Sequence, residues 1–483
     1  MSAPLILGTN SIKDVGYNVD NSLRFNDGSS DYLQFTPSAT SNQKTWTVSC
    51  WVKRSKLSSA QFIWGVNGDT AGHYFTELLF SGADNLEFRQ GGTVGDPYQT
   101  QFVTNQVFRD VSAWYNIIVA ADTTQSTESD RLKIYVNGSQ ITSFSTENYP
   151  SQNENFRWHF VSGSDYPHTI GRRGRSSSGY FGGYIAEWVD VDGSQLDATS
   201  FGEFDEDTGI WKPIDVSGLT FGTNGAYLDF EDSSALGNDV SGNNNDFTVN
   251  NLTSIDQTTD TCTNNFATLN PLEVTASTGR TLSEGNLKYT SDSSNASSAT
   301  GTFAVNSGKW YYEVKIVSQS GSASSTGKFG TFGFTDIAEY SSPATNGLTI
   351  IADSRLRGQG STSGSQAGSS IWGAGDILMF ALDLDNQNLY VGKNGNWRAS
   401  DGDFDDSSPS SAIFSSIDTT KFWTPFGQKN VSANNTLSYS MNFGSPAFSI
   451  SSGNSDANGH GNFEYAVPSG YYSLNTKNLA EFG

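Results

Sequence analysis

Apolar and polar residues alternate with a period of two along most of the chain, the spacing of strands that bury one face. In Trp46-Thr-Val-Ser-Cys-Trp-Val52, the residues Trp46, Val48, Cys50 and Val52 share a face and Trp51 points the other way. Tyr115-Asn-Ile-Ile-Val-Ala120 reads as a buried strand. Leu132-Lys-Ile-Tyr-Val-Asn-Gly138 is a strand running into Asn-Gly, the strongest short hairpin signal, and Glu187-Trp-Val-Asp-Val-Asp-Gly193 repeats that form. The pattern resumes near residue 280, with Lys309-Trp-Tyr-Tyr-Glu-Val-Lys-Ile316, a strand from Gly375 to a turn at Asn386, and Asn388-Leu-Tyr-Val-Gly-Lys-Asn-Gly395. One short helical turn is predicted at Asp197-Ala-Thr-Ser-Phe-Gly202, and no longer helix.

A length of 483 residues exceeds one ordinary domain. The composition shifts after Trp211-Lys-Pro213: residues 216–272 are rich in Asp, Asn, Ser and Thr. The same stretch carries Tyr227, Leu228, Phe230, Phe247, Leu252, Phe266 and Leu269, which a free linker would not need, so it reads as an ordered connector. The expected division is an N-terminal docking arm at 1–20, a β-sandwich at 21–215, the acidic connector at 216–272, a second sandwich at 273–467 and a tail at 468–483. Gly358 to Gly368 reads as a mobile, low-complexity surface loop.

Composition supports an all-β chain. The 50 glycines and only 16% charged residues describe turns and strands, and 13% aromatic residues suffice to fill the slot between two sheets. The net charge of −23 repels nucleic-acid phosphates and anionic membranes. No stretch approaches the roughly 20 apolar residues of a membrane span, and Met1-Ser-Ala-Pro-Leu-Ile-Leu lacks the basic start and long apolar run of a secretory signal. Cys50 and Cys262 stand far apart without metal-ligand spacing, and His73, His159, His168 and His460 are scattered, which argues against structural zinc and fits folding in a reducing cytosol.

Several motifs carry resemblances to known families. Ser22-Leu-Arg-Phe-Asn-Asp-Gly-Ser-Ser-Asp-Tyr-Leu33, the strand around Trp46 to Val52, Trp114-Tyr-Asn-Ile-Ile-Val119, Arg131-Leu-Lys-Ile-Tyr-Val-Asn-Gly138 and Gly182-Gly-Tyr-Ile-Ala-Glu-Trp188, in that order, resemble the laminin-G-like branch of the concanavalin-A superfamily. Gly308-Lys-Trp-Tyr-Tyr-Glu-Val314, Gly330-Thr-Phe-Gly-Phe334, Gly375 through Asp385 and Met441-Asn-Phe-Gly444 resemble a SPRY domain over about residues 280 to 445. Phe201-Gly-Glu-Phe-Asp-Glu-Asp-Thr-Gly-Ile-Trp-Lys-Pro213, Ala235 to Asp246, Thr263 to Pro271 and Pro468 to Leu479 are similar to segments of marine phage tail fibres and virion appendages. These resemblances imply two concanavalin-A-like antiparallel β-sandwiches (jelly rolls) in a virion protein, assembled in the host cytoplasm and released by lysis.

Candidate chemistry follows from the polar clusters. Jelly-roll glucanases draw paired carboxyls, about 5 Å apart in retaining enzymes, from an E-x-D-x-(x)-E strand. The nearest match, Glu203-Phe-Asp-Glu-Asp-Thr208, lacks the final Glu. Neither a Gly-x-Ser-x-Gly elbow, a P-loop nor His-Glu-x-x-His occurs, so no catalytic residues are assigned. Calcium is the cofactor that Asp-rich loops would take, since it wants converging oxygens. Asp232, Asn238, Asp239, Asn243, Asn245 and Asp246 are the candidate ligands, with Asn26, Asp27 and Asp31, Asp190 and Asp192, and Asp401 to Asp406 behind them. The alternative is loops whose side chains bond their own backbone. Arg172, Arg173 and Arg175 form a basic cluster in an acidic chain, suited to sulfate, phosphate or carboxylate on a host glycan or to an acidic neighbouring subunit. Trp64, Trp158, Trp188, Trp372 and Trp397 are conceivable sugar platforms. The expected role is non-enzymatic attachment of a phage particle to a host surface glycan or receptor, with other virion proteins as partners, a homo-oligomer compatible with it, and neither nucleic acid nor membrane insertion involved. The rivals are a capsid decoration protein and a glycan-cleaving enzyme.

Overall fold

The computed structural model describes residues 16–67, 74–91, 98–161, 167–174, 177–273, 278–320, 330–338, 347–352, 355–358, 361–363, 371–429 and 435–483. It forms two compact units, one ending at Thr263 and the other starting at Asn264. Both are antiparallel β-sandwiches.

The first sandwich has two eight-stranded sheets. One runs in the order Ser139–Gln140, Leu132–Val136, Trp114–Asp122, Thr45–Arg54, Gly183–Asp192, Ser22–Phe25, Gln257–Thr258, with Ala226–Leu228 also on Gly183–Asp192. The other runs Phe144–Asn148, Thr100–Val107, Asn85–Gly91, Phe75–Phe80, Gln61–Asn67, His168–Ile170, Tyr32–Phe35, Thr248–Asn250. Period-two alternation places Trp46, Val48, Cys50 and Val52 in the slot between them, where Trp46 meets Trp64 edge to face at 6.1 Å. Trp51 lies on the opposite face, as its register requires. The Asn137–Gly138 turn has φ of 48° and 76°, the left-handed pair that a tight hairpin needs. Asp197 caps the predicted helical turn at Ala198–Ser200 by accepting from the Thr199 amide. Cys50 and Cys262 are free thiols.

The stretch 216–272 is not a separate connector. Its aromatic residues are drawn into the sandwiches because apolar sheet surface needs covering. Phe230, Leu236, Phe247 and Leu252 complete the first core, while Val216, Phe221 and Tyr227 join Ala198, Phe201 and Trp211 over the outer face of the first sheet. Ala267 and Leu269 belong to the second core. Of the expected docking arm, residues 1–15 lie outside the described residues. Tyr17 and Val19 pack with the first unit, where Thr263 Oγ1 bonds both the N–H and the C=O of Val19.

Buried charges fasten this cover and the loops. Lys53 reaches Asp260 (2.7 Å) and Arg24 reaches Asp256 (3.3 Å). Asp84 accepts from Arg54 Nη2 (3.1 Å), Arg109 Nε (2.9 Å) and the Ser58 amide (2.7 Å). A bulge between Ala186 and Val189 gives Glu187 a φ of 47° and turns its carboxyl to the Tyr227 hydroxyl, which donates at 2.8 Å. Burial pushes Glu187 up to about 8.

The second sandwich pairs Arg280–Ser283, Lys288–Ser291, Thr436–Asn442, Lys309–Ser320, Ile377–Asp383, Asn388–Lys393, Asn396–Arg398 and Phe404–Asp406 in one sheet. The other contains Ser297–Thr300, Trp423–Lys429, Thr331–Asp336, Leu348–Ile351, Leu356–Gly358 and Ser361–Ser363. Trp310, Tyr312, Val314 and Ile316 face the core, and Tyr311 packs outside against Trp397, Phe463 and Tyr471. Glu313, on that same outer side, accepts from Tyr311 Oη, Asn442 Nδ2 and the amides of Glu464 and Tyr465, tying down the chain that covers the sheet. The low-complexity loop contains an edge strand: Ser361–Ser363 pairs with Leu356–Gly358, and 359–360 and 364–368 lie outside the described residues. A helix absent from the sequence reading, Thr476–Phe482, closes the chain, capped by Asn475 and anchored by Leu479.

Two outcomes follow for stability. Asp84→Ala strands the buried Arg54 charge and should lower the unfolding free energy of the first sandwich by about 3–5 kcal/mol in denaturant titrations. Glu187 titrates near 4.5 unfolded and about 8 folded, so the folded state holds an extra proton between these values and stability falls as pH rises through that window. The melting temperature should therefore drop between pH 5 and 8, and Glu187→Gln should flatten that slope.

Candidate functional site

In the second sheet of the first sandwich, alternation sends Trp64, Val66, Leu78 and Phe88 inward, and Phe75, Glu77 and Arg89 to the outer face. Antiparallel register sets Glu77 directly opposite Arg89. Arg172, Arg173 and Gly179 then lie against this side of the sheet. Gly171 takes a φ of 83°, which reverses the chain after His168–Ile170, and the Phe62 amide donates to the Gly179 carbonyl at 2.9 Å.

This placement brings Arg172 and Arg173 to the site. Glu77 is 0% exposed and accepts from Arg89 Nε and Arg173 Nε, each at 3.0 Å. Arg89 lies over the rings of Phe62 (5.3 Å), Phe75 (5.8 Å) and Tyr98 (5.5 Å), and Arg173 over Phe62 (5.3 Å). Arg172 stacks on Tyr32 at 3.9 Å, and Tyr180 stands 6.3 Å from Tyr32. Glu87 receives the Gln101 amide at 2.9 Å and lies 3.6 Å from Arg89. Tyr98 is 39% exposed.

Three guanidiniums and two carboxylates thus sit among aromatic rings on the outer side of this sheet, mostly buried, with Arg173 24% and Tyr98 39% exposed. Glu77 holds Arg89 and Arg173 in place, so their forks are oriented before any ligand arrives. Ring faces suit the apolar side of a sugar, and guanidinium and amide groups suit its hydroxyl or acidic groups.

Of the predicted basic cluster, Arg172 lies on Tyr32 and Arg173 on Glu77 and Phe62, while Arg175 lies outside the described residues. Glu77, Arg89 and Tyr98 were missed, because only strand register and the loop after His168–Ile170 bring them to the same place. The five tryptophans offered as platforms, Trp64, Trp158, Trp188, Trp372 and Trp397, are all buried in apolar clusters.

The Asp-rich loop holds itself together. Asp239 accepts from the amides of Tyr227, Ser241 and Asn245 and from the Ser241 hydroxyl. Asp232 accepts from Ser234, and Asp246 from the Asp239 amide. Asn243 and Asn245 donate to carbonyls of residues 222–225, and the Asn238 amide donates to Ala235. These donors fit backbone turns rather than a cation. Among the described residues no group of three or more His, Cys, Asp or Glu is placed to hold a metal ion. Asp31 accepts from the Asn26 amide, Asp27 pairs with Lys56, and Asp403 donates its amide to Asp401. Asp190 and Asp192 flank the buried His159 at 3.0 and 3.4 Å. Glu203 and Asp205 both face Lys212, at 3.4 and 3.5 Å.

Residues 27–189 match the family described as the concanavalin A-like lectin/glucanases superfamily, which is less than half of the chain. No curated protein matches. Among solved structures, the human HERC1 SPRY domain is 16% identical, with 32% of this chain and 87% of that one covered at a TM-score of 0.25. The native heptameric SAP-like pentraxin of Limulus polyphemus is 14% identical (38% and 80% covered, TM-score 0.27). The Ruminococcus gnavus IT-sialidase CBM40 bound to α2,3-sialyllactose is 17% identical (35% and 89% covered, TM-score 0.25).

Asp239→Ala removes an acceptor shared by four donors. It should lower stability by about 2 kcal/mol, and by the same amount in millimolar calcium and in chelator; a deficit seen only with calcium present would instead mark Asp239 as a ligand.

Proposed function

We propose that this protein is a non-enzymatic virion surface protein that attaches a phage particle to its host through glycan contacts on the outer face carrying Tyr98, Arg89, Arg172 and Arg173. The observation that carries this reading is the pre-oriented guanidinium–aromatic face around the fully buried Glu77. The lectin-type family matched by residues 27–189 supports it. Resemblance of the 201–213 and 468–479 segments to phage appendages supports the virion setting, with assembly in the host cytoplasm and release by lysis. Each contact is weak, and copy number on a particle multiplies it. No turnover is part of the role: Glu203 and Asp205, the nearest match to a glucanase pair, share Lys212 on an exposed hairpin.

The test is binding of the pure chain to immobilised envelope polysaccharides of host bacteria. Tyr98→Ala should weaken binding about fivefold, the equivalent of about 1 kcal/mol for one aromatic face, and the bound polysaccharide should keep its length. Binding unchanged in both Tyr98→Ala and Arg172→Ala would remove the site, and release of shortened oligosaccharides would replace attachment with catalysis.

A further inference from the structure

Lys53 and Asp260 stand 207 residues apart in sequence and 2.7 Å apart in space, each 1% exposed. Lys56, Lys133, Lys212, Lys309 and Lys421 also pair with carboxylates, and their side chains are between 16% and 48% exposed. The pocket is aromatic. Trp114 and Tyr184 are the direct cross-strand neighbours of Lys53 on its two sides, with Nζ lying 5.3 Å from the Tyr184 ring. The Trp114 indole N–H donates to Asp260 Oδ1 at 3.3 Å, while Lys53 Nζ donates to Oδ2. Asp260 is clamped by its backbone: its amide donates to Thr258 Oγ1 and its carbonyl accepts from Ser22 Oγ.

We propose that Lys53 and Asp260 condense into an intramolecular amide, a covalent staple between the central strand Thr45–Arg54 and the segment that covers its sheet. One ammonium proton passes from Nζ to Oδ2, and the freed Nζ lone pair attacks Cγ of the neutral acid. A second Nζ proton then passes to Oδ2, the Cγ–Oδ2 bond breaks and water leaves; Nζ keeps one proton as the amide N–H. Oδ1 carries the transient negative charge, held by the Trp114 N–H, and becomes the amide carbonyl. No oxidant or co-reactant is needed. Proximity in a rigid frame replaces activation. Burial lowers the proton affinity of Lys53, which favours the free amine that the attack requires.

The intact mass of the denatured full-length chain reads the bond directly. The chain should be lighter than its sequence mass by one water, and a protease digest should contain the Lys53 peptide joined to the Asp260 peptide. Lys53→Arg keeps the positive charge and should restore the sequence mass; Asp260→Ala should do the same. A wild-type chain at its full sequence mass, or a water loss that maps elsewhere, such as succinimide closure at Asp401–Gly402, would overturn the proposal and leave an ordinary buried ion pair. The wild-type measurement decides even if a variant fails to fold.

Discussion

Strands Thr45–Arg54 and Gly183–Asp192 lie side by side in their sheet, and neither face of either strand meets water. One face is sealed by the opposing sheet through Trp46, Trp64, Trp158 and Trp188. The other carries Trp51, Tyr184 and Val189, which share a cluster with Trp211 of the short hairpin Gly202–Phe204 and Trp211–Pro213 and with loop residues. Left bare, that apolar surface would be costly in water, at about 25 cal/mol per Å². The chain from Ala198 to Tyr227 therefore folds back over it, and the residues up to Thr263 become part of the sandwich rather than a link between domains.

Burying both faces also traps polar groups, and these set how the cover is seated. A charge taken out of water needs a partner and hydrogen bonds. Lys53 finds Asp260, Arg24 finds Asp256, and Arg54 finds Asp84. Such pairs add little net stability, but each strongly penalises the wrong seating, because a misplaced cover would leave a charge alone. The second sandwich uses the same device in the buried Arg280–Glu273 pair and at Glu313, whose four bonds fix the chain around Tyr465.

The site face obeys the same rule with one difference. Glu77 is sealed by two arginines, yet Arg173 remains 24% exposed and Tyr98 more so. The buried part fixes orientation, and the exposed part leaves Arg173 and Tyr98 accessible. Arg172 and Arg173 act here as placed groups rather than as a flexible basic loop.

Period-two alternation by itself determined the strand content, the inward and outward faces of Trp46 to Val52, and the Asn-Gly hairpins, because strand geometry and left-handed turn residues are local properties. The arginine pair at 172–173 was visible for the same reason: two adjacent guanidiniums stand out in a chain of net charge −23. Only the tertiary structure decided the rest. Composition marked 216–272 as one polar connector, but burial depends on which surfaces lack a cover, and that split the stretch at Thr263. Aspartates that looked like cation ligands turned their oxygens to nearby amides, a choice made by loop geometry rather than by residue type. Glu77, Arg89 and Arg173 are scattered along the chain, and neither their alignment nor the meeting of Lys53 with Asp260 has a local signal. Both depend on strand register and on a loop lying against a particular face, which pairing across the whole sandwich sets.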